Sequence, residues 1–477
     1  MKQPNIVLIY IDDMGWRDLG CYGSQFYETP HIDALAAQGM RFSQAYATCP
    51  VCSPSRASVL TGKYPAAVGI TGYIQWYLKE GQRDVGGRGR LMDVPFLKNL
   101  PHDEATIASA LRDGGYATWH VGKWHLGGQR ERSLPTDHGF DVNIGGSHHG
   151  MPVRSYFSPY GMPFLDDGPE DEFLTDRLTD EAIGLMQAHH ASGQNSPFFL
   201  NLWHYAVHTP IMAKPEDVQH FREKAQRLKL DAVDPIVIGE PFPSEAKKHE
   251  RLTRRILQSH AEYAALIYNL DWNVGRLLKA IDALGQTEDT LIIFSSDNGG
   301  LSTSEGAPTC NLPLAEGKGW LYEGGVREPL IIKWPGRVRA NSLCDAVVTG
   351  ADLYPTFLEA AGLPLMPQQH RDGISMLGAI METGSIAHEA IFWHYPHYGN
   401  QGGTPGCAVR AGEYKLIEYF EDGHLELYNL TEDISESHNL ADALPIIRDR
   451  LYGLLSDWKR AVEAQIPEPN PGYVPGV

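Results

Sequence analysis

The run Cys52-Ser53-Pro54-Ser55-Arg56 pairs a thiol nucleophile with a permanent cation, and it continues as Ala57-Ser58-Val59-Leu60-Thr61-Gly62. Serine followed by proline predicts a helix start, with Ser53 as cap and Pro54 in the first turn. Cys52 then stands at a helix N-terminus, where free N–H groups and the helix dipole favour an anion. A buried cysteine ahead of an ordinary helix is an equal reading of these residues alone. Asp12-Asp13-Met14-Gly15 follows one apolar run, and Asp297-Asn298-Gly299 follows another. Either alone reads as a solvated turn. Taken together, three carboxylates and an amide oxygen form an all-oxygen set suited to a hard cation such as Ca²⁺ or Mg²⁺.

Further polar segments lie beyond these. Gly122-Lys123-Trp124-His125-Leu126-Gly127 sets a lysine and a histidine two apart on an extended loop, so both can point the same way. Trp203-His204-Tyr205-Ala206-Val207-His208-Thr209-Pro210 offers two histidines, and Gly317-Lys318-Gly319 a further lysine. The 59 acidic and 40 basic residues give a net charge of -19. That balance argues against nucleic acid or an anionic membrane as partner. An anionic substrate would then need a local positive cluster, and Arg56, Lys123 and Lys318 are candidates for it.

The elements that must hold these residues follow from periodicity. Asn5 to Ile11 is continuous and β-branched, as a strand covered on both faces requires. Thr29-Pro30 signals a following helix. The alternation recurs with helix Glu104–Asp113 before strand Tyr116–Val121, helix Thr175–His189 before strand Phe198–Trp203, and helix His249–Leu284 before strand Thr290–Ser295. Such alternation predicts an α/β fold, a mainly parallel central sheet with helices on both faces. Asp12-Asp13, Lys123 with His125, the two histidines and Asp297-Asn298 each follow a strand end, the edge at which such sheets bind ligands. Residues 204–248 read as a surface insertion. After Pro364 the pattern turns to short strands (Ala390–Trp393, Cys407–Phe420, His424–Asn429) and an amphipathic helix, Leu444–Val462. The expected division is a catalytic domain, 1–364, and a small antiparallel α+β subdomain, 365–477, that contributes to the substrate pocket. The tail from Pro467 to Val477 is expected to be loosely held. A chain of 477 residues with 42% hydrophobic content suits that size.

Cys-x-Pro-x-Arg with its Leu-Thr-Gly ending resembles the signature of the type I sulfatases of the alkaline phosphatase superfamily, and the resemblance runs from Asn5 to about Leu440. It implies the alkaline-phosphatase-like sandwich, and it implies that Cys52 is oxidised by a sulfatase-maturation enzyme to formylglycine, whose hydrate attacks sulfur. It assigns calcium (magnesium less so) to Asp12, Asp13, Asp297, Asn298 and residue 52. Lys123 and Lys318 match the sulfate-binding lysines. His125 matches the group that takes a proton from the second hydroxyl, and His208 the group near the leaving oxygen. His204 is read as structural.

Phosphatases with two metals need further His and Asp ligands and a Ser or Thr nucleophile, which do not stand in the expected places. Phosphonate monoester hydrolases share Cys-x-Pro-x-Arg but carry Asp-His-Gly where this chain has Asp297-Asn298-Gly299. Hydrolysis of phosphate or phosphonate esters is therefore the alternative, and a catalytically silent binding protein is disfavoured by the full set of polar residues. Two stretches bear on substrate: Asn143 to Gly150, with Ser147 and His148, and Trp393 to Gly403, with His394, His397 and Asn400. They resemble bacterial sulfatases acting on galactose or N-acetylgalactosamine sulfates, whereas an aryl or steroid sulfate would call for a more apolar rim. Six scattered cysteines and an N-terminus without a signal-peptide core suggest a cytoplasmic setting.

Overall fold

Asn5–Ile11 forms strand β1, and its alternation sorts the side chains between two apolar layers. Val7, Ile9 and Ile11 enter one, and Ile6, Leu8 and Tyr10 the other. A strand sandwiched in this way must be central. In the computed structural model, which describes residues 3–74, 89–194, 196–244 and 247–474, β1 lies between two parallel neighbours. The strands follow as β2 (Met40–Tyr46), β3 (Ala117–Gly122), β4 (Val142–Ile144) and β5 (Phe198–Trp203). A two-stranded ribbon comes next, β6 (Ile236–Pro241) with β7 (Arg251–Arg255), and then β8 (Thr290–Ser296), β9 (Arg327–Lys333), β10 (Ser342–Cys344) and β11 (Val348–Thr349).

The large sheet runs β10-β2-β9-β8-β1-β5-β3-β4, with β11 also beside β2. β1 pairs in parallel with β5 and β8, and β3 with β5 and β4, while β9 is antiparallel to both β8 and β2. Two reversals restore direction, so β2 points the same way as β1. The carboxyl ends of β1, β2, β3, β5 and β8 therefore share one edge. A second, antiparallel sheet is built from β12 (Ile391–Tyr395), β13 (Gly406–Ala411), β14 (Tyr414–Tyr419) and β15 (Leu425–Asn429). The helix Pro445–Ala461 covers one of its faces through Leu451 and Leu455. Its other face, with Trp393, Ala408 and Ile417, packs on Tyr46, Cys49 and Val51, the segment that leads to Cys52.

The architecture is the one expected, and several boundaries move for physical reasons. The helix before β8 begins at Ala261, not His249, because Arg251–Arg255 pairs with Ile236–Pro241. The supposed surface insertion is partly core. His204 to Val207 are buried, and the helix Pro215–Arg227 lays Val218, Phe221 and Ala225 into the main apolar layer. The expected strand Cys407–Phe420 is a hairpin that turns at Gly412, whose φ of 64° suits glycine. Ser53 is not the helix cap: Val51 holds that position, Cys52 is the first helical residue, and Ser53 Oγ accepts from the Ile74 N–H. The tail as far as Val474 is tied down at its start, where Met92 and Asn470 exchange backbone bonds with Glu468 and Arg90; residues 475–477 lie outside the described residues. No helix among the described residues is long and apolar enough to cross a membrane.

Candidate active site

Four strand ends and one helix N-terminus converge. Asp12 and Asp13 leave β1, Lys123 follows Gly122 at the end of β3, His208 lies beyond β5, and Asp297 and Asn298 leave β8. Cys52 sits at the head of the helix Cys52–Thr61 that follows β2. Gly122 makes the turn into Lys123: its φ is 105°, and a Cβ there would lie 2.0 Å from the Trp203 carbonyl oxygen. Only glycine fits such an approach. Asp13 and His125, at φ 60° and 59°, hold left-handed conformations that non-glycine residues rarely adopt, a form of strain that clusters at functional sites.

Asp12, Asp13, Asp297, Arg56, Lys123 and Lys318 are all buried. Lys123 Nζ donates to Asp12 Oδ2 at 2.7 Å, and Lys318 Nζ to Asp13 Oδ2 at 2.7 Å. Arg56 grips Asp297 Oδ2 through Nε at 2.9 Å and its terminal nitrogen at 2.7 Å, and its plane lies over the rings of Trp203 and Tyr10. Each cation is thus already matched by a carboxylate. Three buried positive and three buried negative charges cancel, so the positive cluster expected from sequence is, by itself, neutral. A dication added here would leave a net charge of about +2, and only then would an anion be drawn in.

The donor set fits such a cation. Asp12, Asp13, Cys52 and His208 each bring a ligand atom within 4.8 Å of the others. Asp12 Oδ1 and Asn298 Oδ1 are buried without a hydrogen-bond partner, acceptors left over by the protein's own bonds. Burial pushes the Asp12 carboxyl well up; Lys123 opposes this, and the neighbouring Asp297 and Asp13 reinforce it. Burial would do the same to Asp13, but Lys318, then His208 and Lys123, outweigh it and hold that carboxyl well below the usual range. Oxygen-rich, with its fixed charges balanced and two acceptors left without partners, the nest has the chemistry of a Ca²⁺ or Mg²⁺ site.

The sulfatase family model matches residues 4–363. The chain belongs to the sulfatase family. A second model, for the C-terminal part of N-sulphoglucosamine sulphohydrolase, matches 317–450. This sulfatase is 32% identical to human arylsulfatase A, across 92% of its own length and 83% of the relative's. It is 31% identical to rat N-acetylgalactosamine-6-sulfatase, across 87% and 71%. The crystal structure of Ps i-CgsB, solved also in complex with k-i-k-neocarrahexaose, superposes with a TM-score of 0.75 at 28% identity, covering 99% of this chain and 94% of that one. The fold is also that of the phosphonate monoester hydrolase of Agrobacterium radiobacter (TM-score 0.65, 20% identity, 96% of each chain). The protein is accordingly a sulfuric ester hydrolase on an alkaline-phosphatase-like fold.

In this sulfatase a cavity of about 170 Å³ opens over Cys52, with His125, His208 and Lys318 in its wall. His125 donates from Nε2 to the Ile74 carbonyl at 2.7 Å, which leaves Nδ1 as a buried acceptor without a partner. Burial, then Lys123, pushes its pKa well below the usual imidazole value, so the ring is neutral. His208 donates from Nδ1 to the Thr209 carbonyl at 2.7 Å, and its Nε2 lies 3.0 Å from Lys318 Nζ. That nitrogen is the one positioned to exchange a proton with a substrate. His204 is wholly buried, and its Nδ1 has no hydrogen-bond partner among the described residues.

The residues expected to bind substrate divide. Asn400 lines the cavity. Ser147 is buried and acts from behind, its carbonyl accepting from the His125 N–H at 2.9 Å. His148 stacks on His149 and packs against Gly128, while their neighbours Gly150 and Met151 reach the cavity. His394 bonds the Gln465 carbonyl, and His397 bonds Thr71 Oγ1 and packs on Phe96. Both are buried, His394 within β12 and His397 against the Thr71 segment, and neither is in the cavity wall. Gln401, from the same Trp393–Gly403 stretch, lines it beside Asn400. Tyr73 and Glu305 also line it and were not expected; no motif marks them, and they arrive from separate loops.

Proposed function

We propose that this sulfatase removes sulfate from a mono- or oligosaccharide of the galactose or N-acetylgalactosamine type, with residue 52 as formylglycine and a bound calcium ion. The observation that carries the reading is the neutral, oxygen-rich nest beneath Cys52, in a cavity whose wall sets Thr209, Glu305, Asn400 and Gln401 beside Tyr73, Ile74 and Met151. The names of two relatives support the sugar: one is an N-acetylgalactosamine-6-sulfatase, and the other was crystallised with k-i-k-neocarrahexaose.

Asp12, Asp13, Asp297 and Asn298 would hold the cation, which supplies the charge that a sulfate monoester needs in order to be approached by a nucleophile. Formylglycine supplies a geminal diol in its hydrated form, so that one hydroxyl can attack sulfur and the other can drive release of sulfate. The remaining work belongs to the chain's own side chains. Lys123 and Lys318, drawn partly from their carboxylates, hold sulfate oxygens, and Arg56 fixes Asp297. His208 Nε2 relays a proton from Lys318 Nζ, 3.0 Å away, to the departing alcohol oxygen, and His125 Nδ1 takes one at the opposite stage. Aryl sulfates, with their better leaving group, would be turned over by the same residues.

Released sulfate measured across the monosulfated isomers of galactose and N-acetylgalactosamine, beside nitrophenol released from nitrophenyl sulfate and a nitrophenyl phosphonate, tests the reading. At least one sugar sulfate should be hydrolysed, EDTA should abolish turnover, and calcium should restore it. Full turnover without metal would refute the cation, and hydrolysis of nitrophenyl sulfate alone would refute the sugar.

A further inference from the structure

The floor of the cavity is built to receive an anion, yet an acid stands at its rim. Glu305 lines the same cavity as Cys52, His208 and Lys318 and is itself exposed. A carboxylate there also works against the substrate, because two like charges several ångströms apart repel by roughly 1 kcal/mol or more near a protein surface. The protein nevertheless holds this one with care. Gln401 Nε2 donates to Glu305 Oε1 at 2.8 Å, and Asn400 Nδ2 donates to the same oxygen. Gln401 is anchored in turn, its carbonyl accepting from Thr303 Oγ1 at 2.8 Å and from Trp320 Nε1 at 3.2 Å. The loop that carries the acid is strained: Ser304, Glu305 and Ala307 have φ of 55°, 46° and 41°. Three left-handed non-glycine residues in so short a stretch cost on the order of 1–3 kcal/mol each and persist only where the surroundings enforce them.

Both protein donors converge on Oε1, so Oε2 has no hydrogen-bond partner among the described residues. A carboxylate fixed through one oxygen, with the other free at the mouth of a pocket, is a directed acceptor. We propose that Glu305 is a specificity residue for the alcohol half of the substrate, accepting hydrogen bonds from hydroxyl groups on the sugar ring beside the scissile ester. The ring's donors then compensate the acid's repulsion of the sulfate, and an alcohol without hydroxyls leaves it uncompensated. The inference rests on the reading of the substrate as a sugar sulfate. It adds the group that reads the sugar, and it gives Asn400 and Gln401 the role of positioning that group.

The test compares Glu305→Gln and Glu305→Ala with the unchanged enzyme, all matured and calcium-loaded. The probes are nitrophenyl sulfate and the galactose or N-acetylgalactosamine sulfate that the unchanged enzyme turns over. The readout is the ratio of kcat/KM for sugar sulfate to kcat/KM for nitrophenyl sulfate. The ratio should fall about tenfold to a hundredfold in Glu305→Ala, the loss expected for hydrogen bonds to a charged acceptor, and less in Glu305→Gln, whose amide oxygen can still accept. An unchanged ratio in both variants overturns the inference while leaving the sugar reading intact; this is the outcome if Glu305 serves only to keep Lys318 charged. If no sugar sulfate is turned over while nitrophenyl sulfate is, the sugar reading fails and the inference falls with it. Activity on nitrophenyl sulfate reports in every case that the variant has folded.

Discussion

At the scale of single residues, the histidines show how far burial decides a role. His125 and His397 are both buried and both held neutral, yet one lines the cavity and keeps a nitrogen without a partner, and the other is tied to Thr71. Burial pushes His397 down to about 3, with His394 and Lys98 adding to the shift. Its folded pKa lies below the unfolded value near 6.5, so the unfolded chain binds the extra proton first as pH falls. The stability tied to neutral His397 is therefore present above about pH 6.5 and is lost on acidification toward pH 3. Between pH 6.5 and 5 this amounts to about 2 kcal/mol, at 1.36 kcal/mol per unit. His397→Asn, compared with the unchanged protein by denaturant unfolding at both pH values, should show correspondingly less acid destabilisation. Equal losses in the two proteins would mean that His397 is charged or solvated in the native state. From sequence, His397 and Asn400 looked alike as polar residues in one glycine-rich loop, because loop composition reports polarity and not direction. Only the fold turns Asn400 toward the cavity and His397 toward Thr71.

At the scale of elements, what was legible follows from local periodicity, and what was not depends on distant pairing. β1, β5 and β8 declare themselves as continuous apolar runs, and their acidic or histidine-bearing ends mark the catalytic edge. The helix Cys52–Thr61 was legible as well, though not its first residue. Arg251–Arg255 was not legible as a strand, since nothing in Arg-Leu-Thr-Arg-Arg suggests one until Ile236–Pro241 is beside it. The spacing of Val218, Phe221 and Ala225 was a readable helical stripe in a stretch whose lysines and glutamates gave the impression of a surface loop. β3 is the element on which the site depends most sharply, because Gly122 alone lets the chain turn from strand to Lys123 under the Trp203 carbonyl. Gly122→Ala would bring a Cβ against backbone and strain a left-handed residue, so it should destabilise the protein by more than about 1 kcal/mol and lower kcat. Thermal unfolding with a parallel assay checks this. An unchanged Tm and kcat would show that the turn has room to relax.

At the scale of the whole molecule, the two sheets are joined through the active site and not merely beside it. The inner face of the second sheet packs on Tyr46, Cys49 and Val51, and Trp393 Nε1 donates to the Ala47 carbonyl at 2.7 Å, just ahead of Cys52. A wholly buried ionic group completes the join: Lys415 Nζ lies 3.0 Å from Glu323 and 2.9 Å from Glu436, while Arg327 also binds Glu323. Distant charges that meet in this way carry no sequence signature, whereas the alternation of strands and helices that builds the large sheet does. The net charge of -19 posed the question of how an anion enters, and the structure sharpens it, since the site's own cations are already neutralised. The account therefore makes catalysis depend on two additions, a cation in the nest and an aldehyde at residue 52. The most direct measurement is sulfate release from nitrophenyl sulfate by calcium-loaded protein produced together with a sulfatase-maturation enzyme, compared with Cys52→Ala made in the same way. Peptide mass should show the thiol of Cys52 replaced by an aldehyde in the active protein, and Cys52→Ala should fold normally while losing at least about a thousandfold in kcat. Turnover by Cys52→Ala at the rate of the matured enzyme would contradict the account.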